Sequence, residues 1–137
     1  TDPNQPSGWS SDADTLVLAT PALDASNNPI YTDPGHNSVY SNNTILFLVD
    51  GTIYRRILAN PNAPSNAAQT SCPAELSSPS CPADDIILEH TATLNFDYGG
   101  VAPDLATSAS TTITQSLSKF GRTYTSTLTI RTTMRNK

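Results

Sequence analysis

The sequence has few of the residues from which common catalytic sites are built. Its 137 residues include two histidines, two cysteines and one methionine, and only 14% of all residues are charged. No Gly-x-Ser-x-Gly element accompanies the many serines, and no glycine-rich phosphate loop is present. His36 follows Pro34-Gly35 and is expected in a loop, whereas His90 falls on the apolar side of a predicted strand and is expected at an interface. We therefore expect a protein that is not an enzyme and has no cofactor.

A signal peptide and a long hydrophobic run are also missing from the sequence. The chain opens on Thr-Asp-Pro-Asn-Gln-Pro-Ser-Gly, which has the composition of a loop, and no initiating Met is visible. We expect the chain to be the soluble part of a longer protein whose targeting segment precedes Thr1. Its length suits one domain with a single core. We predict one domain over residues 1–137, of which residues 1–13 are linker-like.

Two cysteines are too few for a zinc site, and neither has a plausible histidine base beside it. Cys72 and Cys81 lie in a loop over residues 59–84 that contains five prolines. A local disulfide between them is the best interpretation, and it implies an oxidising compartment. A loop of this length without secondary structure is normally functional or disordered.

Alternation of apolar and polar residues is the strongest structural signal. In the segment 123–135, even positions carry Tyr124, Leu128, Ile130 and Met134, and odd positions carry threonines and two arginines. A period of two with β-branched residues predicts a strand, whose apolar side we expect to face a core. An Asp50-Gly51 turn between two apolar runs predicts a hairpin with a two-residue loop. The full set of predicted strands is 14–20, 44–49, 52–58, 86–98, 110–118 and 123–134.

Acidic and basic residues are separated along the chain. Residues 1–100 contain eleven acids against two cations, Arg55 and Arg56, although the net charge of the whole chain is only −5. Candidate calcium ligands are Asp12, Asp14, Asp84 and Asp85, which supply carboxylate oxygens but form no Asp-x-Asp-x-Asp-Gly loop. We favour ordinary turn capping for these aspartates and predict no metal.

The C-terminal part of the chain is basic. Arg131 and Arg135 share one side of the last predicted strand, and Lys119 and Arg122 flank the preceding turn. Such residues could contact a DNA backbone or another partner. We favour a solvated strand face, or ion pairing with the acidic part of the chain.

The order of these segments resembles the globular head of a type IV minor pilin or of a J-type pseudopilin of type II secretion. The matching pieces are Asp14-Thr-Leu-Val-Leu, a strand followed by Thr-Ile-Tyr54-Arg55, Thr93-Leu-Asn-Phe-Asp-Tyr98, and two terminal strands ending in Arg135-Asn136. The resemblance implies an α+β pilin-like head, here mostly antiparallel β-sheet, from which the N-terminal helix is largely absent. The mid-chain cysteines depart from the C-terminal disulfide of many major pilins.

The resemblance also implies a function. It points to a structural minor subunit of a type IV pilus or secretion pseudopilus that initiates or caps the fibre through contacts with other pilins. Such a protein is anchored in the membrane before assembly and is then found at the bacterial cell surface, where pili serve adhesion, twitching motility or DNA uptake. The alternative is an adhesive or DNA-binding module at the pilus tip, acting through the basic C-terminal strand or the 59–84 loop.

Overall fold

Seven strands form two sheets in the computed structural model, which describes residues 11–70, 84–103 and 105–133. The first sheet has the strand order β1-β2-β3-β4, and the second has the order β5-β6-β7. The strands are β1 (Thr15–Pro21), β2 (Ser41–Val49), β3 (Thr52–Leu58), β4 (Asp85–Leu88), β5 (Thr91–Asp97), β6 (Ser108–Lys119) and β7 (Arg122–Thr133).

The predicted α+β class is wrong for these residues. Both sheets are antiparallel, and no helix occurs in the three described ranges, so the fold there is all-β. The helical part of the prediction came only from the resemblance, whereas the residues themselves alternate with the period of a strand. No helix of the described chain is long and apolar enough to cross a membrane.

The hairpin predicted around Asp50-Gly51 is confirmed. Asp50 and Gly51 have φ values of 47° and 78°, the left-handed conformations that a two-residue turn requires. The preceding strand, β2, lies between β1 and β3. Phe47 is buried and stacks on Tyr54 across this hairpin, with ring centroids 5.7 Å apart.

The single strand predicted over 86–98 is two strands. Glu89 and His90 form a bend between β4 and β5, which belong to different sheets. His90 has a φ of 58° and is exposed, so the prediction of an interface histidine on a strand is wrong. His36 is a loop residue, as predicted, and its ring stacks on Tyr31 at 4.2 Å.

A β-bulge shifts the expected alternation at the start of β5. The pairing of β5 with β6 slips between Thr91 and Thr93, so that Thr91 is buried and Ala92 is exposed. Beyond the bulge, Leu94 and Phe96 are buried and Asn95 between them is exposed, so the side chains alternate between the two faces.

The chain forms two compact units. Of the described residues, the first unit contains 17–45, 55–70 and 84–85, and the second contains 11–16, 46–54, 86–103 and 105–133. The buried apolar side chains of the first unit are Ala22, Ile45, Leu58 and Ala63. Those of the second unit are Leu16, Phe47, Ile53, Leu94, Phe96, Ala106 and Ala109.

Candidate interaction surface

The terminal hairpin dominates the second sheet. Strands β6 and β7 pair without a register shift from Ser108↔Thr133 to Lys119↔Arg122, so the turn predicted before the last strand joins the two strands as a hairpin. Phe120 and Gly121 make the turn with φ values of 53° and 72°. Residues that face each other across an antiparallel pair lie on the same side of the sheet. The register therefore assigns every side chain of the hairpin to one of two faces.

One face of the hairpin is apolar and open to solvent on β7. We call it the apolar face; its large residues are Ile113, Leu117, Tyr124, Leu128 and Ile130. Leu94 of β5 lies opposite Ile113 on the same side of the sheet and is buried. Tyr124, Leu128 and Ile130 are 59%, 55% and 50% exposed. The prediction that this side of the last strand faces a core is wrong, because burial of the face decreases from β5 to β7.

The other face of the hairpin is a ladder of hydroxyl groups. Thr112 and Thr129 are hydrogen-bonded through their hydroxyls at 3.1 Å, and Thr114 and Thr127 at 3.2 Å. Cross-strand threonine pairs of this kind stabilise a sheet modestly. They hold β7 on β6 without requiring a second layer of protein on this side.

The same register shows which backbone N–H and C=O groups of β7 point outward, away from β6. Lys119 and Arg122 flank a two-residue turn, so this pair exchanges both backbone hydrogen bonds, and such pairs recur at every second position. The even-numbered residues of β7 therefore bond to β6. The N–H and C=O groups of the odd-numbered residues point away from β6: Thr123, Thr125, Thr127, Thr129, Arg131 and Thr133. No other described strand lies beyond them.

The opposite edge of the same sheet is partly covered. Thr91 N donates to Gly51 O at 2.8 Å, and Phe96 N donates to Ala13 O at 2.8 Å. These bonds occupy outward backbone groups at both ends of β5. Within the described ranges, no segment makes such a bond to β7.

The predicted basic residues do not form one stripe. Lys119 and Arg122 face each other beside the turn, on the side of the apolar face. Arg131 lies nine positions further along β7 (about 30 Å) and on the hydroxyl side, where its Nη2 donates to Ser108 Oγ at 3.2 Å. Arg135 lies outside the described residues. Side-chain alternation separates Arg131 from the pair at the turn.

The four aspartates considered as candidate calcium ligands contact groups of the protein. Asp84 pairs with Arg56, and Asp85 pairs with Arg55, each at 2.7 Å. Asp12 Oδ1 accepts the backbone N–H groups of Asp14 and Thr15 at 3.1 and 2.9 Å, which is the turn capping that we favoured. Asp14 Oδ1 accepts the Thr15 hydroxyl. In the described part of the chain, no group of three or more His, Cys, Asp or Glu residues could hold a metal ion.

The predicted disulfide between Cys72 and Cys81 lies outside the described residues. Asparagine side chains hold the described start of the 59–84 loop in place. Asn42 Oδ1 accepts Asn60 N at 2.9 Å and Asn66 Nδ2 at 2.7 Å. Asn42 and Asn60 are buried. Asn60-Pro61-Asn62 has the composition of a turn, whereas Asn42 lies in β2, and nothing in its local sequence marks it as the partner of this turn.

A shallow cleft lies between two turns of the second unit. It has a volume of about 450 Å³, and Asp50, Gly51, Glu89 and His90 are among its lining residues. Thr91 also lines it and has a buried hydroxyl without a hydrogen-bond partner. The cleft is open and polar, and its carboxylates and histidine do not form a metal-binding group. The terminal hairpin is therefore the stronger candidate for a functional surface.

No protein-family model matches the chain, and no curated protein or solved structure is significantly similar to it.

Proposed function

We propose that the chain is a structural subunit of an extracellular fibre of the type IV pilus or type II secretion pseudopilus class. In this role it initiates or caps the fibre by binding neighbouring subunits. The observation that carries the proposal is the exposed apolar face of the terminal hairpin, which is a property of a surface that another protein covers.

The size of the exposed side chains supports a binding role. Full burial of a Leu or Ile side chain contributes about 1.5–3 kcal/mol. Leu117, Leu128 and Ile130 are each about half exposed, so their further burial would contribute on the order of 2–5 kcal/mol together. This is enough to bias an association, although the entropy lost on binding reduces the net gain.

The composition of the hairpin also suits an interface. Tyrosine and arginine are enriched in protein interfaces, whereas lysine and glutamate are depleted. Strand β7 has Tyr124, Arg122 and Arg131 and contains no lysine or acidic residue.

A second candidate function is contact with a surface ligand through the hairpin tip, and Phe120 favours it. This side chain is 91% exposed, and Lys119 Nζ lies 5.2 Å from the centre of its ring. An exposed aromatic residue in a left-handed conformation indicates a functional role, because this backbone conformation costs free energy. The DNA-binding version has less support, since Arg131 lies far from Lys119 and Arg122.

Incorporation into fibres tests the proposal. The full-length protein, or a Leu128→Asp variant, would be produced in a bacterium whose own genes assemble pili. Fibres sheared from these cells would be probed with an antibody against the protein. We expect the unmodified chain in the fibres and the Leu128→Asp variant only in the cell fraction, because a charge on the apolar face opposes burial.

The matched control is Asn95→Asp, which adds a charge to the hydroxyl side of the same sheet. Asn95 is exposed and pairs with Thr112. This variant should enter fibres normally. Equal incorporation of both variants, or absence of the unmodified chain from fibres, would contradict the proposal.

A further inference from the structure

We propose that β7 pairs edge to edge with β7 of a second copy of this chain, in antiparallel orientation. The two three-stranded sheets would then join into one continuous sheet. This inference rests on the proposed function, because it names how two such subunits meet.

The first argument is the open edge itself. Proteins usually protect a long edge strand with proline, lysine, a bulge or a covering segment. Strand β7 has twelve residues, pairs with β6 without a bulge, and contains neither proline nor lysine. The other edge of its sheet is bonded by Gly51 and Ala13.

The other sheet offers no comparable edge. One of its edge strands, β4, has only four residues, and the other, β1, ends at Pro21, which cannot donate a ladder bond. The row of outward groups on β7 is thus the longest template for strand addition in the described residues.

The second argument is charge, and it favours a second copy as the partner. In an antiparallel pair about a twofold axis, even-numbered residues face even-numbered residues, and odd face odd. Arg122 and Arg131 have opposite parity, so they can never face each other across this junction. Either arginine faces its own counterpart only when the axis lies at that residue, near an end of β7, so pairing about the middle of the strand places no two arginines opposite each other.

The third argument is the register that the side chains favour. An axis at Thr127 places Tyr124 opposite Ile130 of the second copy, which is a favourable aromatic and β-branched pair. Arg131 then faces Thr123, and Arg122 faces Thr132. In this register the apolar faces of the two copies lie on the same side and merge into one larger surface, available to further subunits.

Amide hydrogen exchange of the full chain, followed by NMR at several protein concentrations, tests this pairing without any mutation. The amides of Ser126 and Leu128 bond to β6 and should be protected at every concentration. The amides of Thr125, Thr127 and Thr129 should exchange rapidly in dilute protein and become protected as the concentration rises. Rapid exchange of these three amides at all concentrations would overturn the proposal.

A backbone variant gives a second measurement. Thr127→Pro removes one outward N–H at the centre of the junction and leaves the β6 ladder intact, whereas Thr127→Ala removes the hydroxyl and keeps the N–H. In sedimentation equilibrium, we expect Thr127→Pro to raise the dimer Kd at least about tenfold, because it removes the two symmetry-related bonds. Thr127→Ala should change Kd by less than about threefold.

The two proposals can fail separately. Equal Kd values for the proline and alanine variants would overturn edge pairing, as would a protein that stays monomeric. If fibre incorporation still required Leu128 in that case, the proposed function would stand and only the mode of contact would be wrong. If the chain dimerised as described and never entered fibres, the pairing would stand without the fibre role.

Discussion

Arg56 and Asp84 form a completely buried ion pair, in which three hydrogen bonds join the two side chains. The Nε of Arg56 donates to Oδ1 of Asp84 at 3.0 Å, and Nη2 donates to Oδ2 at 2.7 Å. Neither side chain is exposed to solvent. The adjacent residues, Arg55 and Asp85, form a similar pair in solvent, with 45% and 52% of their side chains exposed. Adjacent residues of a strand point to opposite faces, so Arg55 and Arg56 meet different environments.

These two pairs predict very different mutational effects. Asp84→Ala leaves the Arg56 guanidinium buried without its carboxylate and should lower the free energy of unfolding by about 3–5 kcal/mol. Asp85→Ala removes an exposed pair and should cost at most about 1 kcal/mol. Urea unfolding of both variants measures the difference. Similar losses would show that the Arg56 charge is not desolvated as described.

The turn of the terminal hairpin predicts a stabilising substitution. Phe120 adopts a left-handed conformation with a φ of 53°, which costs a bulky residue on the order of 1 kcal/mol. Phe120→Asn creates the Asn-Gly turn preferred in two-residue hairpins and should raise the free energy of unfolding by about that amount. Thermal and urea unfolding would report the gain.

The other hairpin provides the control for this substitution. Asp50→Asn alters a turn whose first residue already tolerates the left-handed region, so stability should stay within about 0.5 kcal/mol. A loss of stability in Phe120→Asn would mean that the phenyl ring makes a contact worth more than the relief of strain.

The hydrogen bonds of two loop aspartates predict that the stability of their loops depends on pH. Backbone hydrogen bonds from Asn28 and Ser26 lower the pKa of Asp24 below its usual value. A side-chain hydrogen bond from Asn37, with a backbone bond from Ser38, lowers the pKa of Asp33. A lowered folded-state pKa contributes stability that is present above the unfolded pKa and is lost as pH falls through the folded pKa. The loops over 24–28 and 33–38 should therefore loosen below about pH 4.

NMR titration of the aspartate carboxyl groups is the direct measurement of this effect. Both should titrate below the ordinary value, and the amides of Ser26 and Ser38 should shift in the same pH range. Asp24→Asn should abolish the change at Ser26 and leave that at Ser38 intact. Titration of both carboxyls at the ordinary value would show that the loop hydrogen bonds are absent in solution.

Local patterns in the sequence predict most of the strands. The Asp50-Gly51 turn and its flanking apolar runs predict the β2–β3 hairpin, and β3 begins and ends at the predicted residues, 52 and 58. The break at Glu89-His90 could not be predicted, because the residues on both sides are typical of strands and no Gly or Pro marks the bend. The partners of Arg55 and Arg56 lie about thirty residues away, beyond the range of local patterns.

The sequence predicts which side chains of the candidate surface share a face, but it does not predict whether that face is covered. Alternation in β7 correctly indicates which residues share a face, as the register with β6 shows. It carries no information about what covers that face, because burial depends on the neighbouring layer and not on the strand's own pattern. The separation of Arg131 from Arg122 follows from the same alternation, because the two residues occupy positions of opposite parity on β7.

Truncation of two apolar residues tests this distinction between a shared face and a buried one. From the sequence alone, Leu128→Ala would be expected to cost about 2–5 kcal/mol as a core truncation. Leu128 is 55% exposed, so we expect a cost of at most about 1 kcal/mol in dilute protein. Phe96→Ala, on the covered side of the same sheet, should cost about 3–5 kcal/mol, because Phe96 is only 4% exposed. Urea unfolding at low concentration compares the two variants. Equal costs would mean that the apolar face of β7 is already covered within a single copy. The face would then not be available to another subunit.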